Sequence, residues 1–267
     1  MPHPFLDHAG PTVYAHRGGG AEAPENSLAA FGNAMSIGFR YLETDARVSV
    51  DGVVMAVHDD RLDRVSNGRG LVSQHTVSEL SSLRLRSADG SLSAEPIPTL
   101  EELVRAWPQA RWNIDAKEDR VVDPLGNLLE RLGLFERCCV GAFSDRRLGR
   151  LRERFGSRLC TSLGPREVTA LRAASFGWPL RETAGIIAQV PMRLPLTPAI
   201  GGRSASVPVV DRRFQAVCRR LGVPVHVWTV NDAGEMQALL DAGIEGFMTD
   251  EPRRAAAVLR ARGLWPD

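Results

Sequence analysis

The chain has 267 residues, 43% of them hydrophobic and 24% charged, an ordinary globular balance with enough apolar material for a large core. Lys and Arg number 33 against 32 Asp and Glu, a net charge of +1. That balance excludes the broad basic field used to hold nucleic acid or an anionic membrane, so any anionic ligand must be caught by local groups.

In chain order, residues 1–10 are polar and broken by prolines, without a leader-like apolar run. No later window has the length of a membrane span, so a soluble cytoplasmic protein with no stable membrane insertion is expected. The apolar run 13–15 predicts a strand that delivers His16 and Arg17 at its end and then meets Gly18, Gly19 and Gly20. Glycines there let backbone approach whatever binds. Pro24-Glu25-Asn26-Ser27 is a helix start, with Asn26 or Ser27 as cap; Leu28, Phe31 and Met35 share one face and Gly38 stops it. A second strand, 39–48, carries Glu43 and Asp45 two apart, so both carboxylates point to one side. Asp51-Gly52 turns the chain into a hairpin extension ending at His58. From 59 to about 98 regular patterning stops, for longer than a plain loop allows, which predicts a small inserted lid or subdomain. Thr99 and Glu102 then have the spacing of a capping box.

Beyond it, strand-like runs at 112–117, 138–143, 158–162, 185–191, 223–230 and 246–249 alternate with helical patterns at 121–132, 145–155, 165–174, 211–221, 232–242 and 251–262. The stretch up to 207 is irregular. Leaving out the hairpin arm, eight strands alternate with helices, which predicts one α/β domain over 1–267, a (β/α)₈ TIM barrel with a small insertion after the second strand at about 59–98. Cys138, Cys139, Cys160 and Cys218 lack zinc-site spacing and read as buried reduced thiols.

In such a barrel the active site lies at the C-terminal ends of the strands. Glu43, Asp45 and Asp115 come from neighbouring strands and offer only oxygen, which favours one divalent hard cation, Mg²⁺ or Ca²⁺, over zinc. Arg17 and Lys117 remain to hold an anion, and a phosphate suits both. His16 and His58 each close an apolar run beside the carboxylates, where an imidazole titrating near neutrality serves as acid or base. His3, His8, His75 and His226 read as packed or surface residues. The bland alternative makes Asp115–Lys117 and Glu43–Arg47 ion pairs on a solvated rim. Their convergence with two histidines favours a metal-assisted hydrolytic site. Phe143, Gln189 and Trp228 are further strand-end candidates, whereas Asn231, Asp232 and Asp250 read as helix caps.

Seven segments together resemble the glycerophosphodiester phosphodiesterase family: Ala-His16-Arg17-Gly, Pro24-Glu-Asn26-Ser27, Leu42-Glu43-Thr-Asp45, Val57-His58-Asp59, Asp115-Ala-Lys117, Trp228-Thr-Val-Asn231 and Thr249-Asp250-Glu-Pro252. They span nearly the whole chain in order. The resemblance implies a divalent metal on Glu43, Asp45 and Asp115, and His16 and His58 as general acid and base. Trp228 would pack against the glycerol or the alcohol, and the reaction would split a small-molecule glycerophosphodiester into glycerol 3-phosphate and an alcohol. The family's third carboxylate is usually glutamate. Asp115, one methylene shorter, implies that the metal moves, recruits a water or binds more weakly.

Two other readings make distinct expectations. A lysophospholipid or sphingolipid phosphodiesterase would need an apolar rim, expected from the insertion, yet residues 71–92 scatter leucines among serines and arginines. A catalytically silent phosphodiester-binding barrel draws its support from Asp115. Residues 191–208, with Arg193 and Arg203, are expected to shape headgroup choice or oligomer contacts; the oligomeric state itself cannot be read from sequence.

Overall fold

The computed structural model describes residues 3–195 and 206–265; Arg203 lies outside them. In chain order the strands are β1 (Thr12–Ala15), β2 (Tyr41–Val48), β3 (Val54–Ala56), β4 (Arg111–Ala116), β5 (Cys138–Gly141), β6 (Cys160–Thr161), β7 (Ala188–Pro191), β8 (Arg193–Pro195), β9 (Ser206–Pro208), β10 (Val225–Trp228) and β11 (Gly246–Thr249). Eight of them pair in parallel in the order β6-β5-β4-β2-β1-β11-β10-β7. The ring closes between its ends, where Ser162 bridges Ile187 and the Leu163 N–H donates to the Ile187 carbonyl at 2.8 Å. This is the (β/α)₈ barrel that the alternating pattern predicts. β3 folds back antiparallel on β2, with Arg47 opposite Met55, and forms the hairpin arm.

The helices are α1 (Leu28–Ile37), α2 (Val77–Ser82), α3 (Leu100–Ala106), α4 (Val122–Arg131), α5 (Asp145–Phe155), α6 (Pro165–Ala174), α7 (Arg212–Leu221), α8 (Ala233–Asp241) and α9 (Pro252–Ala261). Their starts are set by side chains that satisfy the first free N–H groups: Ser27, Thr99, Ser144, Asp211 and Asp232 each accept from a backbone N–H three residues on. The apolar faces of the helices bury Phe31, Leu103, Leu125, Leu148, Leu171, Phe214, Met236 and Leu259 against the outside of the barrel. Inside it, Phe5, Tyr14, Tyr41, Cys139, Cys160, Ile187 and Met248 form a second apolar cluster. His226 belongs to this packed interior. Burial pulls its imidazole down to about 3, so it stays neutral and shares a hydrogen bond with the Tyr14 hydroxyl at 2.9 Å. All four cysteines are buried and free.

Two departures follow from chain chemistry. The stretch after β7, expected to be irregular, includes an antiparallel ladder of β8 and β9 with Arg193 opposite Pro208. Three-residue strands that end in proline carry too little alternation to be read. The predicted strand end at His16-Arg17 is instead a single 3₁₀ turn, His16–Gly18. Leu62, Val65, Val72, Leu80, Leu85 and Ile97 of the insertion close with Met55 and Val57 of the hairpin arm as a small core of their own.

Candidate active site

The turn after β1 sets the site. Arg17 adopts a left-handed φ of 51°, which an L side chain takes only when its surroundings enforce it. Gly18 and Gly19 follow with φ of 84° and 90°. A Cβ at Gly18 would sit 2.8 Å from Ala30 Cβ, and one at Gly19 would sit 2.3 Å from Pro252 Cγ, so α1 and α9 pin the turn from both sides. Held this way, the Arg17 N–H donates to Glu43 Oε2 at 3.0 Å, and the Arg17 carbonyl accepts from the Asn26 N–H at 2.8 Å. Asn26, also left-handed at φ 60°, donates through Nδ2 to Asp45 Oδ2 at 2.9 Å and accepts from Thr44 Oγ1 at 2.8 Å.

The carboxylates come together as strand geometry requires. Glu43 and Asp45 share one side of β2, and Asp45 is the register partner of Asp115 on β4. The Lys117 ammonium lies between two of them, 2.9 Å from Asp45 Oδ1 and 2.7 Å from Asp115 Oδ2, and Arg17 Nε is 3.2 Å from Asp45 Oδ2. Burial and then the charge of Asp45 push the Glu43 carboxyl up to about 7, despite His16, Arg17 and Lys117. Asp115 is raised too, by burial and the Asp45 charge against the pull of Lys117. Asp45 goes the other way: burial raises it, but Lys117 and Arg17 overcome burial. Arg47 does not pair with Glu43; its Nε donates to the His58 carbonyl at 2.8 Å. The Glu118 carboxylate faces away, accepting from the Val48 N–H at 2.9 Å.

Each histidine is held at Nδ1 by a carboxylate, which makes Nδ1 the protonated nitrogen and leaves Nε2 free of that contact. His16 Nδ1 lies 2.6 Å from Asp250 Oδ1, and Asp250 is fixed by Asn231 Nδ2 at 2.9 Å. His16 Nε2 is 3.8 Å from Glu43 Oε2. Burial lowers His16, but the charges of Glu43 and Asp250 more than reverse this. His58 Nδ1 lies 2.7 Å from Asp59 Oδ1. Burial lowers its imidazole, and Asp45 and Asp59 only partly offset that.

Arg64 ties this half of the site together from within the insertion. It donates to both oxygens of Asp59 (2.5 and 2.9 Å) and to Glu25 (2.8 Å), which also accepts from Arg17 NH1 at 3.2 Å. Loss of such an orienting partner typically costs roughly 10- to 100-fold in function. Arg64→Ala is therefore expected to lower turnover at least about tenfold. In an Asp59→Ala background the same change should add less than about twofold, because the two residues act as one unit. Fully additive losses in kcat would show that Arg64 acts elsewhere.

These groups face a cavity of about 550 Å³ at the C-terminal ends of the strands, lined among others by His16, Arg17, Glu43, Asp45, His58, Asp115 and Lys117. Trp228, Phe143 and Gln189 also line it. Trp228 stands edge-on to Phe143 with ring centroids 5.6 Å apart, and Gln189 Nε2 donates to Asn113 Oδ1 at 2.7 Å. Every site residue expected from the sequence thus borders one cavity.

Residues 16–254 match the model of the glycerophosphoryl diester phosphodiesterase family. The chain belongs to this family. Among similar glycerophosphodiesterase relatives, a Mycobacterium tuberculosis protein named "Probable glycerophosphodiester phosphodiesterase 2" is 35% identical over 98% of this chain and 95% of its own length. A glycerophosphodiester phosphodiesterase of Caldanaerobacter subterraneus is 27% identical, covering 94% of this chain and 98% of that one. The fold is shared with solved structures. One is the glycerophosphoryl diester phosphodiesterase domain of an uncharacterized M. tuberculosis protein (TM-score 0.79, 22% identity, 95% of this chain and 100% of that one). Another is a phosphodiesterase of Oleispira antarctica in complex with its product sn-glycerol 3-phosphate (TM-score 0.72, 20% identity, 94% and 97%).

On this glycerophosphodiesterase barrel, several residues that hold the site were given other roles by the sequence pattern. Asn231 and Asp250 were expected as caps; the α8 cap is Asp232, and Asn231 and Asp250 instead brace His16. Ser27 is the α1 cap, which frees Asn26 for Asp45. Glu25, Asp59 and Arg64 gave no signal beyond their place in or next to the family's motifs.

Glu43, Asp45 and Asp115 are the oxygen donors that a divalent cation would use here. Asp115 Oδ1 is buried without a hydrogen-bond partner, and Glu43 and Asp115 are both destabilised as anions by a third carboxylate beside them. A positive centre beyond Lys117 and Arg17 relieves that arrangement. Among the described residues no group of three or more His, Cys, Asp or Glu side chains is placed to hold a metal ion, and the Lys117 ammonium lies between Asp45 and Asp115.

Proposed function

We propose that this chain hydrolyses glycerophosphodiesters to glycerol 3-phosphate and an alcohol, with Glu43, Asp45 and Asp115 holding one Mg²⁺ or Ca²⁺ and His16 and His58 as general acid and base. The observation that carries this reading is a pair of carboxylate-braced imidazoles bordering one cavity with a buried carboxylate cluster, in a chain of this family. The cation, when bound, supplies positive charge to the phosphoryl oxygens. Arg17 and Lys117 bind those oxygens as well and offset the charge that grows on them. One imidazole takes a proton from the attacking hydroxyl, and the other returns one to the leaving alkoxide. Trp228 packs against the carbon skeleton of the glycerol or the alcohol. The insertion serves as a brace that brings Arg64 to Asp59. The Oleispira product complex supports glycerol 3-phosphate as the product class. Among the described residues no helix is long and apolar enough to cross a membrane.

The test is glycerol 3-phosphate release from glycerophosphocholine with Mg²⁺ or Ca²⁺, with and without chelator. Product that depends on the ion is expected; no product from any glycerophosphodiester overturns the reading. Thermal melts add a readout independent of turnover. Glu43 has a folded value of about 7, above its unfolded value of about 4.3. Its burial is therefore free of cost below about pH 4 and costs stability as pH rises towards about 7. Cation binding removes that cost, so the rise in Tm on adding the ion should be larger at about pH 8 than at about pH 5. A Tm insensitive to divalent ions at both pH values would exclude the three-carboxylate site.

A further inference from the structure

In the cavity, charge lies on the arc between β1 and β4, and the apolar strand ends from Ala142 to Trp228 lie on the arc from β5 to β10. Behind that second arc, on the outside of the barrel, charge and apolar surface instead meet. α7 carries four arginines in ten residues and no acid. Its inner side buries Phe214, Val217 and Cys218, so Arg212, Arg213, Arg219 and Arg220 stand exposed on the opposite face. Arg212 and Arg219 are two turns apart, as are Arg213 and Arg220, which makes a stripe about 10 Å long. Among the described residues none of the four forms an ion pair; Arg219 only donates to Gln215 Oε1 at 3.3 Å. The contrast is α5, whose five arginines all meet a carboxylate within 3.3 Å.

Beside the first turn of α7, the segment after α6 leaves Phe176 62% and Trp178 71% exposed. The Phe176 ring lies 4.9 Å from the Arg172 guanidinium and 5.9 Å from that of Arg213, which ties the segment to the stripe. Arg172 in turn pairs with Asp211, the α7 cap, at 2.7 Å. Large rings left bare beside unpaired cations mark a surface that meets a partner. A second copy of this chain is a poor one, because a two-fold contact sets one arginine stripe against the other. A nucleic-acid strand needs rings interleaved with cations along a groove, whereas here both rings sit at one end of a convex helix face. An anionic bilayer accepts such a face, with guanidiniums at the phosphates and aromatic rings at headgroup depth. With a net charge of only +1, attraction to it must come from a local patch of this kind.

We propose that the outer face of α7, with Phe176 and Trp178 at its end, docks this protein reversibly on an anionic lipid bilayer. The four arginines pair with headgroup phosphates, and the two rings enter the interfacial layer. The contact is peripheral and involves no spanning segment. It is independent of the reaction assigned to the cavity.

The experiment sediments the full chain with vesicles of phosphatidylcholine, pure or mixed with phosphatidylglycerol. Binding to the mixed vesicles alone is expected at about 0.1 M salt, and its loss at about 1 M, where the screening length falls from about 10 to about 3 Å. Each Arg→Gln change at positions 212, 213, 219 or 220 should lower partitioning about fivefold. Arg146→Gln removes the same charge from α5 and should change it less than about twofold. Trp178→Ala should weaken binding severalfold. Trp178→Phe should keep most of the binding but abolish the blue shift of tryptophan emission that vesicles induce. No sedimentation with the mixed vesicles at low salt overturns the proposal, as does equal binding to pure phosphatidylcholine. Binding that survives all four arginine changes together, in a variant of unchanged Tm, overturns the assignment to α7. A single-stranded oligonucleotide bound more tightly than the mixed vesicles would transfer the face to nucleic acid, and a dimer in the ultracentrifuge that those four changes dissociate would transfer it to a second copy; either result overturns the bilayer.

Discussion

Alanine at His16, or at His58, is expected to lower the turnover of glycerophosphocholine by between about 10² and 10⁴, while Tm moves by no more than a few degrees. The size of the loss reflects what proton transfer contributes: a positioned acid or base takes roughly 3 to 5 kcal/mol off the barrier of such a step. The stability forecast follows from what each ring leaves behind. Asp250 keeps its bond from Asn231 Nδ2 when His16 is removed, and Asp59 keeps both bonds from Arg64 when His58 is removed. Neither deletion strands a buried charge. Steady-state kinetics beside differential scanning calorimetry provides the check. A variant with wild-type kcat would remove that histidine from the chemistry, whereas a loss of activity that tracks a collapse in Tm would make its role structural.

Asp45→Ala should strike stability as well as function. The carboxylate is 1% exposed, accepts from Asn26 Nδ2 at 2.9 Å and forms ion pairs with Lys117 at 2.9 Å and Arg17 at 3.2 Å. Deleting one member of a buried charge network leaves the others uncompensated and costs about 3–5 kcal/mol. For a chain of this size that corresponds to a drop in Tm of roughly 10 °C. Part of the loss returns through Glu43, which no longer has a like charge beside it and titrates lower. Urea unfolding at about pH 5 and about pH 8 separates the two contributions: the relief at Glu43 matters only where ionising the wild-type carboxyl costs stability, so the variant should lose more at the lower pH. A change in Tm below about 2 °C would mean that Lys117 and Arg17 are satisfied without Asp45.

Much of this was legible from the chain. Strand-helix alternation with short connections left few topologies other than the barrel. Period-two spacing placed Glu43 with Asp45, and Asp115 with Lys117, on shared faces, because strand geometry is local and rigid. Residues whose roles depend on contacts far along the chain were not legible. Asp250 reaches His16 across 234 positions, and Arg64 reaches Glu25 across 39. Asparagine and aspartate just before a helix have caps as their commonest use, so Asn26, Asn231 and Asp250 carried a misleading local signal. The ladder of β8 and β9 was hidden by its prolines, and the separation of charged and apolar arcs appears only once strands far apart in sequence are set around a ring.

That separation has a consequence for how such a barrel changes over time. The charged groups bordering the cavity are encoded before residue 118, and the strand-end apolar surface from Ala142 to Trp228 is encoded after them. Drift or recombination between Ala142 and Trp228 can therefore remodel the apolar arc while the charged groups are inherited from the earlier stretch; only the brace of His16, namely Asn231 and Asp250, is encoded beyond both.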